Sequence, residues 1–143
     1  MAPRHGFADP RLVEDRSLDI TDPELAKRAG NLKFFSATYR LFKLPELESS
    51  CEDFGQAVVY KGSITEHAGR FVLDKHHDMQ TNKVFAVCGN TWHMLNSTRF
   101  GPHFDFIGNF DTHFGIFEGC GASLPFSATL KAVAGDCGPA GCC

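Results

Sequence analysis

Residues 33–43 carry the pattern that most restricts what this chain can fold into. Along this segment apolar and polar side chains alternate with a period of two, so each set falls on its own side of an extended backbone. One set contains Phe35, Ala37, Tyr39 and Leu41, and the other contains Ser36, Thr38 and Arg40. Because this alternation is typical of a strand with one buried face, the segment predicts a strand within a sheet.

The segment before this strand contains a helix start. The sequence Thr21-Asp22-Pro23-Glu24 places Asp22 at the N-cap and Pro23 at the first helical position, where the missing amide hydrogen of proline is no loss. Gly30 is placed to end the helix. Residues 11–19 alternate weakly and predict a further strand ahead of it.

Short alternating segments recur through the rest of the chain. They predict strands over residues 57–61, 70–74, 84–88, 103–107 and 113–117. A turn around residues 66–69 is expected to join the first two, Asn90 is placed to cap a short helix over 91–97, and residues 44–54 predict an exposed connection. Because strands outnumber helices and most connections are too short for helical crossovers, we predict an α+β domain with a mainly antiparallel sheet and one or two short helices.

The two ends of the chain differ from this domain. Residues 1–9 resemble the end of a helix that begins earlier, since Gly6 is a terminating glycine with little helix before it, and the start resembles a truncation. From Ala122 onward, small residues, two prolines and clustered cysteines offer little to bury. We therefore expect a domain over residues 1–121 and a flexible Cys-rich tail over 122–143.

Charge and hydropathy argue against two classes of partner. The 14 basic residues are scattered and are outnumbered by 17 acidic ones, so the basic surface that binds nucleic acid or anionic lipid is missing. No apolar run approaches the roughly 20 residues that span a bilayer, and Met1 is not followed by a hydrophobic signal core. We expect a cytoplasmic protein with reduced thiols that binds neither nucleic acid nor membrane.

Four motifs accompany the strand at 33–43 in a fixed order. They are His5-Gly6-Phe7, Pro10-Arg11-Leu12-Val13, Tyr60-Lys61-Gly62 with Ile64, and Ser97-Thr98-Arg99-Phe100. Together with residues 33–43 they resemble the C-terminal third of arsenite methyltransferases, the S-adenosylmethionine-dependent enzymes that methylate trivalent arsenic. The resemblance covers residues 4–121, nearly the whole chain.

The resemblance implies a parent enzyme that moves a methyl group from S-adenosylmethionine to thiol-bound arsenic, with glutathione or thioredoxin as reductant. In that family, cofactor binding belongs to an upstream doubly wound domain with a glycine-rich turn, and the arsenic-binding cysteines also lie upstream. Here Gly119 and Gly121 match only two positions of such a turn, and no helical pattern follows them. We therefore expect a fragment with no catalytic or cofactor-binding residues, which does not bind S-adenosylmethionine, is inactive alone and partners an upstream methyltransferase domain.

Two other functions stay open. The chain could be a stand-alone thiol-rich module whose cysteine tail captures arsenite or a soft metal, or a structural domain whose Phe-rich face docks on a partner. An upstream reading frame that encodes a glycine-rich turn and further cysteines would favour the enzyme fragment over both.

The cysteines near the C-terminus are the candidate ligands. Cys137, Cys142 and Cys143 lie close together, and soft thiolates suit trivalent arsenic, whereas their spacing is not a zinc pattern. Cys120 matches a Gly-Cys position near the end of the family's last domain. The alternative is an incidental tail for the first three and a small buried hydrophobic residue for Cys120.

The other two cysteines are expected to be inert. Cys88 closes an apolar strand, and Cys51 lies in an acidic loop where Glu52 and Asp53 disfavour a thiolate. Neither has a second sulfur nearby in the sequence.

The histidines do not predict a metal site or a catalytic pair. His76 and His77 are adjacent on an extended segment and so point to opposite faces, and a solvated loop is favoured there over a metal site with Asp78. The isolated histidines are expected to be hydrogen-bonded structural residues, and they are His93, His103 and His113.

Overall fold

The computed structural model describes residues 2–119, which form two helices and nine strands. The helices are α1 (Pro23–Ala29) and α2 (Gly89–Asn96). The strands are β1 (Arg11–Leu18), β2 (Phe34–Arg40), β3 (Glu52–Asp53), β4 (Gln56–Tyr60), β5 (Arg70–Asp74), β6 (His77–Gln80), β7 (Val84–Val87), β8 (Phe104–Ile107) and β9 (Gly115–Ile116). Short 3-10 helices lie at Ala2–His5, Thr65–His67 and Gly101–His103. No helix within these residues is long and apolar enough to cross a bilayer.

The strands form four small antiparallel sheets instead of one. β4 lies between β7 and β8, and the other sheets are the pairs β1–β2, β5–β6 and β3–β9. The α+β class is confirmed, with two helices and antiparallel strands. The turn predicted around residues 66–69 is present, as the 3-10 helix Thr65–His67 followed by turn residues 68 and 69, but it leads from β4 into a strand of a different sheet.

The two helix starts differ in how well the sequence predicts them. In α1 the Asp22 carboxylate accepts a hydrogen bond from the Leu25 amide at 2.9 Å, as the capping pattern predicts. The prediction that Asn90 caps α2 is wrong, because the helix begins at Gly89 and the sulfur of Cys88 accepts from the Thr91 amide. A cysteine cap is uncommon, and that explains the error.

The hydrophobic core lies between the three-stranded sheet, the β5–β6 hairpin and α2. Its fully buried members include Val58, Tyr60, Leu73, Met79, Met94 and Leu95. Phe71 and Phe104 meet edge to face with their ring centres 5.3 Å apart, a favourable aromatic geometry. The core therefore packs the three-stranded sheet, the β5–β6 hairpin and α2 against one another.

Three local predictions also need correction. The strand β6 was not predicted, and the solvated loop expected at residues 76–78 is wrong for His77, which is buried while His76 is exposed. The connection over 44–54 is not wholly exposed, since Leu47 is buried in the core cluster. The strand predicted over 113–117 is shorter and becomes β9, while the tail over 122–143 lies outside the described residues.

Candidate functional site

Buried polar side chains gather where β1, the β5–β6 turn and the start of α2 meet. Each is less than a tenth exposed, and they are Arg11, Asp74, His77, Asn90 and Thr91. The sulfur of Cys88 lies among them, on a residue with no exposed surface. Since buried polar groups are costly unless they are paired, such a concentration in a small domain is a candidate site.

Cys88 is held as a thiolate by the groups around it. Its sulfur lies 3.3 Å from the Thr91 hydroxyl and 3.5 Å from the Thr91 amide nitrogen, and Arg11 Nη2 donates to it at 3.9 Å. The Cys51 thiol donates a hydrogen bond to the same sulfur, and this bond lowers the pKa of Cys88 most. Burial opposes the shift, but Thr91 and Arg11 lower the pKa further, to about 4. Cys88 is therefore ionised at neutral pH.

Arg11 links this thiolate to two carboxylates. Its Nη2 lies 2.7 Å from Asp9 Oδ2, and its Nη1 lies 3.2 Å from Asp74 Oδ2. Burial alone would lower the pKa of Arg11, but Asp9, Cys88 and Asp74 outweigh it and raise the pKa. The guanidinium is thus permanently charged and compensates the negative groups around it.

A chain of hydrogen bonds leads from Cys88 to Asp74. The Thr91 hydroxyl lies 3.3 Å from His77 Nε2, and His77 Nδ1 lies 2.7 Å from Asp74 Oδ1. Burial of Asp74 would raise its pKa, but hydrogen bonds from His77 and His76 and the charge of Arg11 lower the pKa to about 2. Asp74 is therefore a carboxylate that can only accept, so Nδ1 of His77 carries the donated hydrogen.

Thr91 connects the Cys88 thiolate to the pair formed by His77 and Asp74. The Thr91 hydroxyl lies within hydrogen-bond distance of both the Cys88 sulfur and Nε2 of His77, while Nδ1 of His77 donates to Asp74. The arrangement holds a charged sulfur nucleophile in place.

Asn90 holds the loop that carries Cys51 against this site. Its Oδ1 accepts from the Glu48 amide at 2.9 Å, and its Nδ2 donates to the carbonyl oxygens of Glu48 and Ser50 at 2.8 and 3.3 Å. The same amide nitrogen donates to Asp9 at 3.1 Å. Asn90 does not cap α2, and its side chain instead holds the loop that carries Cys51 in a fixed position relative to Cys88.

The predicted ligands and the observed site are different residues. Cys120, Cys137, Cys142 and Cys143 all lie outside the described residues, so their roles stay predictions. The pair that the structure does bring together is Cys51 and Cys88, which the sequence led us to treat as inert. Their separation along the chain hid the pair, and only the polar residues after Cys88 hinted at an unusual helix start.

Three of the other histidines take part in local contacts. His103 Nδ1 lies 2.7 Å from Ser63 Oγ, and His113 Nε2 lies 2.6 Å from Glu52, which confirms the structural role predicted for both. His93 stacks on Phe110. Among residues 2–119 no three His, Cys, Asp or Glu side chains are grouped as a metal site. The pair of sulfurs is therefore the candidate ligand set.

Known proteins resemble this chain over most of its length. Residues 55–143 match the family described as arsenite methyltransferase C-terminal domain. An arsenite methyltransferase of Aquipseudomonas alcaligenes is 60% identical over 134 residues, and that of Mus musculus is 35% identical over 108 residues. These matches cover 94% and 74% of this chain but only 39% and 27% of the relatives.

A solved structure agrees in fold. The crystal structure of an arsenic(III) S-adenosylmethionine methyltransferase from Chlamydomonas reinhardtii matches with a TM-score of 0.77 and 44% identity. The match covers 82% of this chain and 39% of that one. The chain therefore spans between 27% and 39% of the length of these relatives.

Proposed function

This chain belongs to the arsenite methyltransferase family and corresponds to the C-terminal portion of its members, and we propose that it serves arsenic methylation by holding trivalent arsenic between Cys51 and Cys88, in addition to the upstream cysteines of the family. In this proposal a methyltransferase domain upstream of the chain supplies S-adenosylmethionine and performs the transfer. A thiol reductant supports turnover of the whole enzyme. The relatives' names support this assignment, and the cysteine pair is the single observation that carries it.

The pair suits the ligand chemistry of trivalent arsenic. Thiolates are soft ligands and match a soft trivalent centre, and the low pKa of Cys88 supplies one thiolate without a base. Cys88 is fully buried while Cys51 is half-buried, so arsenic from solvent meets Cys51 first.

The exchange of ligands at arsenic balances at both sulfurs. At the Cys88 thiolate a sulfur–arsenic bond forms, an arsenic–oxygen bond breaks, and the hydroxide leaves to solvent, where it is protonated to water. At Cys51 the thiol proton leaves with the second hydroxide. Arg11 and Thr91 hold Cys88 in place while the bonds exchange.

The described residues do not fit S-adenosylmethionine. The one strand that runs directly into a helix is β7, before α2, where a cofactor of this kind needs glycines and an open helix N-terminus. Here the aromatic rings of Phe54 and Phe110 lie 3.4 Å from where a side chain on Gly89 would begin, and the Cys88 sulfur occupies the cap. We therefore infer that this chain neither binds the cofactor nor methylates arsenic alone.

Titration of arsenite into the full chain, reduced with a phosphine and followed by Trp92 fluorescence, tests the proposal. Loss of one of two chelating sulfurs removes the second, intramolecular bond, so Cys51→Ser should weaken binding by about 100-fold. A matched variant with Cys137, Cys142 and Cys143 changed to serine should bind arsenite as the parent does.

The opposite pattern would overturn the assignment. If the tail variant loses arsenite and Cys51→Ser keeps it, the site lies in the tail and not in the fold. Cys51 is the better target than Cys88, because Cys88 also caps α2 and its removal destabilises the helix start. Equilibrium dialysis with S-adenosylmethionine is the second measurement, and micromolar binding to this chain would disprove the upstream location of the cofactor.

A further inference from the structure

A second cleft, with a volume of about 510 Å³, shares no residue with the cysteine pair or its hydrogen-bond chain. It lies between the end of β2, the segment around residues 63–67 and the segment that leads from α2 to β8. Its lining includes Arg40, Arg99, Phe71, Phe100, Ser63 and His103. Clefts that hold small molecules usually measure about 300–1,000 Å³, so this one is large enough for a ligand.

Two guanidinium groups lie over the same aromatic ring in this cleft. The guanidinium carbons of Arg40 and Arg99 are 5.7 and 5.2 Å from the centre of the Phe100 ring, and Arg40 is also 5.8 Å from the centre of Phe71. Arg40 Nη1 donates to the carbonyl oxygens of Val72 and Leu73 at 3.1 and 2.7 Å, which fixes the plane of its guanidinium. The aromatic faces stabilise both cations and hold them in place.

Neither Arg40 nor Arg99 forms an ion pair within the described part of the chain. Burial and the charge of Arg99 lower the pKa of Arg40, and Asp74 offsets this only in part. Glu66 is the only acidic residue among those that line the cleft, so the cleft carries a net positive charge.

We propose that this cleft binds a small oxyanion, a carboxylate or a phosphate, between Arg40 and Arg99. An arginine fork matches the planar or tetrahedral oxygens of such a group, and one anion would relieve the repulsion between the two guanidiniums. Ser63 and His103, joined by a 2.7 Å hydrogen bond, supply further polar atoms in the same cleft. The site is independent of the arsenic proposal.

Calorimetric titration of the full chain with inorganic phosphate and, separately, with succinate at constant ionic strength tests this site. Saturable binding of either is expected, and the stronger of the two identifies the favoured oxyanion. Arg99→Gln should weaken that binding at least about tenfold, because a charge-assisted hydrogen bond is lost. Arg28→Gln, on the exposed face of α1, is the matched loss of charge and should leave the affinity for the anion unchanged.

Three results would overturn the site. No saturation by either anion, or equal loss in Arg99→Gln and Arg28→Gln, would mean that only bulk charge attracts anions. Arg99→Lys keeps the charge and loses the fork, and full retention of affinity in this variant would disprove recognition by the guanidinium. Arg99 is exposed, so these variants are expected to keep the melting temperature of the parent, which is measured alongside.

Discussion

Residues 11–40, the arm, and residues 56–107, the centre, bury their apolar side chains to very different extents. In the centre, Leu73 and Met94 have no exposed surface. In the arm, α1 contains no buried residue, and Leu25 and Leu32 are 55% and 69% exposed. Both regions follow the local patterns of helix and strand, so the difference does not arise from secondary structure.

The difference shows that the two regions are held by different forces. The arm joins the centre at its base through polar contacts, among them the pairing of Arg11 with Asp74 and the bond from the Lys75 amide to the Leu12 carbonyl at 3.0 Å. The centre is held by apolar burial, the dominant favourable term in folding. We therefore expect global stability to depend on the centre and far less on the arm.

The largest expected effect is the loss of a leucine from the centre. Leu73→Ala should lower the free energy of unfolding by about 2–5 kcal/mol, because it leaves a cavity among close-packed neighbours. Leu32→Ala in the arm is the matched change and should cost less than about 0.5 kcal/mol. Urea unfolding followed by circular dichroism measures both.

A similar loss of unfolding free energy in Leu73→Ala and Leu32→Ala would contradict the contrast between the arm and the centre. It would mean that the arm shares the cooperative core despite its exposure, and that polar contacts at its base transmit stability. A change in the slope of the unfolding curve for Leu32→Ala alone would instead indicate that the arm unfolds as a separate unit.

The sequence predicts the arm better than it predicts the centre. The cap formed by Asp22, the proline after it and the alternation in residues 33–43 are local signals, and the structure places α1 and β2 there. The buried face predicted for that strand is wrong, however, because Tyr39 and Leu41 are 42% and 46% exposed. In the centre, β6 is short, and its residues His77 and Asp78 contain no local strand signal. Its place is set by pairing with β5 and by burial of His77, which are tertiary effects that override propensity.

The second-largest expected effect is a loss of stability in acid, which arises at Asp74, the carboxylate that pairs with Arg11 of the arm. The folded pKa of Asp74 is about 2, below its ordinary value of 3.8, so the folded state binds fewer protons there than the unfolded chain. This contribution is fully present above pH 4 and is lost as the pH falls from about 4 toward 2. The parent should lose on the order of 2 kcal/mol of unfolding free energy over that range.

Asp74→Asn tests whether this carboxylate causes the loss of unfolding free energy in acid. Urea unfolding between pH 5 and 2 should show a flatter profile for the variant, because the titrating group is gone. Asp78→Asn removes an exposed carboxylate that pairs with Arg70, and should keep the acid-dependent loss of the parent. A profile for Asp74→Asn that runs parallel to the parent would disprove the role of this carboxylate.

The candidate site was the least predictable part of the molecule. Its members come from β1, the loop before β3, the β5–β6 turn and α2, so no single window of sequence contains the pattern. Neither Cys51 nor Cys88 has a second cysteine nearby in the sequence, and only the fold brings the two together. Residue spacing in the sequence reveals sites that lie on one helix or strand, whereas this site forms only when four separate segments pack together.

The smallest expected effect on stability comes from the apolar end of the arm. A groove lined by Leu18, Ile20, Leu25, Ala29 and Phe34 lies open there, and the chain covers only 39% of the Aquipseudomonas relative. We propose that the additional residues of the full-length relatives cover this groove, and that the groove causes self-association of the chain alone. Leu25→Ser should change the free energy of unfolding by no more than about 0.5 kcal/mol, because Leu25 is already half exposed, yet it should reduce self-association measured by sedimentation velocity.

Lys27→Ser, at an exposed position on the same helix, is the control and should associate as the parent does. If the parent sediments as a monomer at high concentration, the exposed apolar side chains of the arm do not form an interface, and the contrast with the centre is one of burial alone.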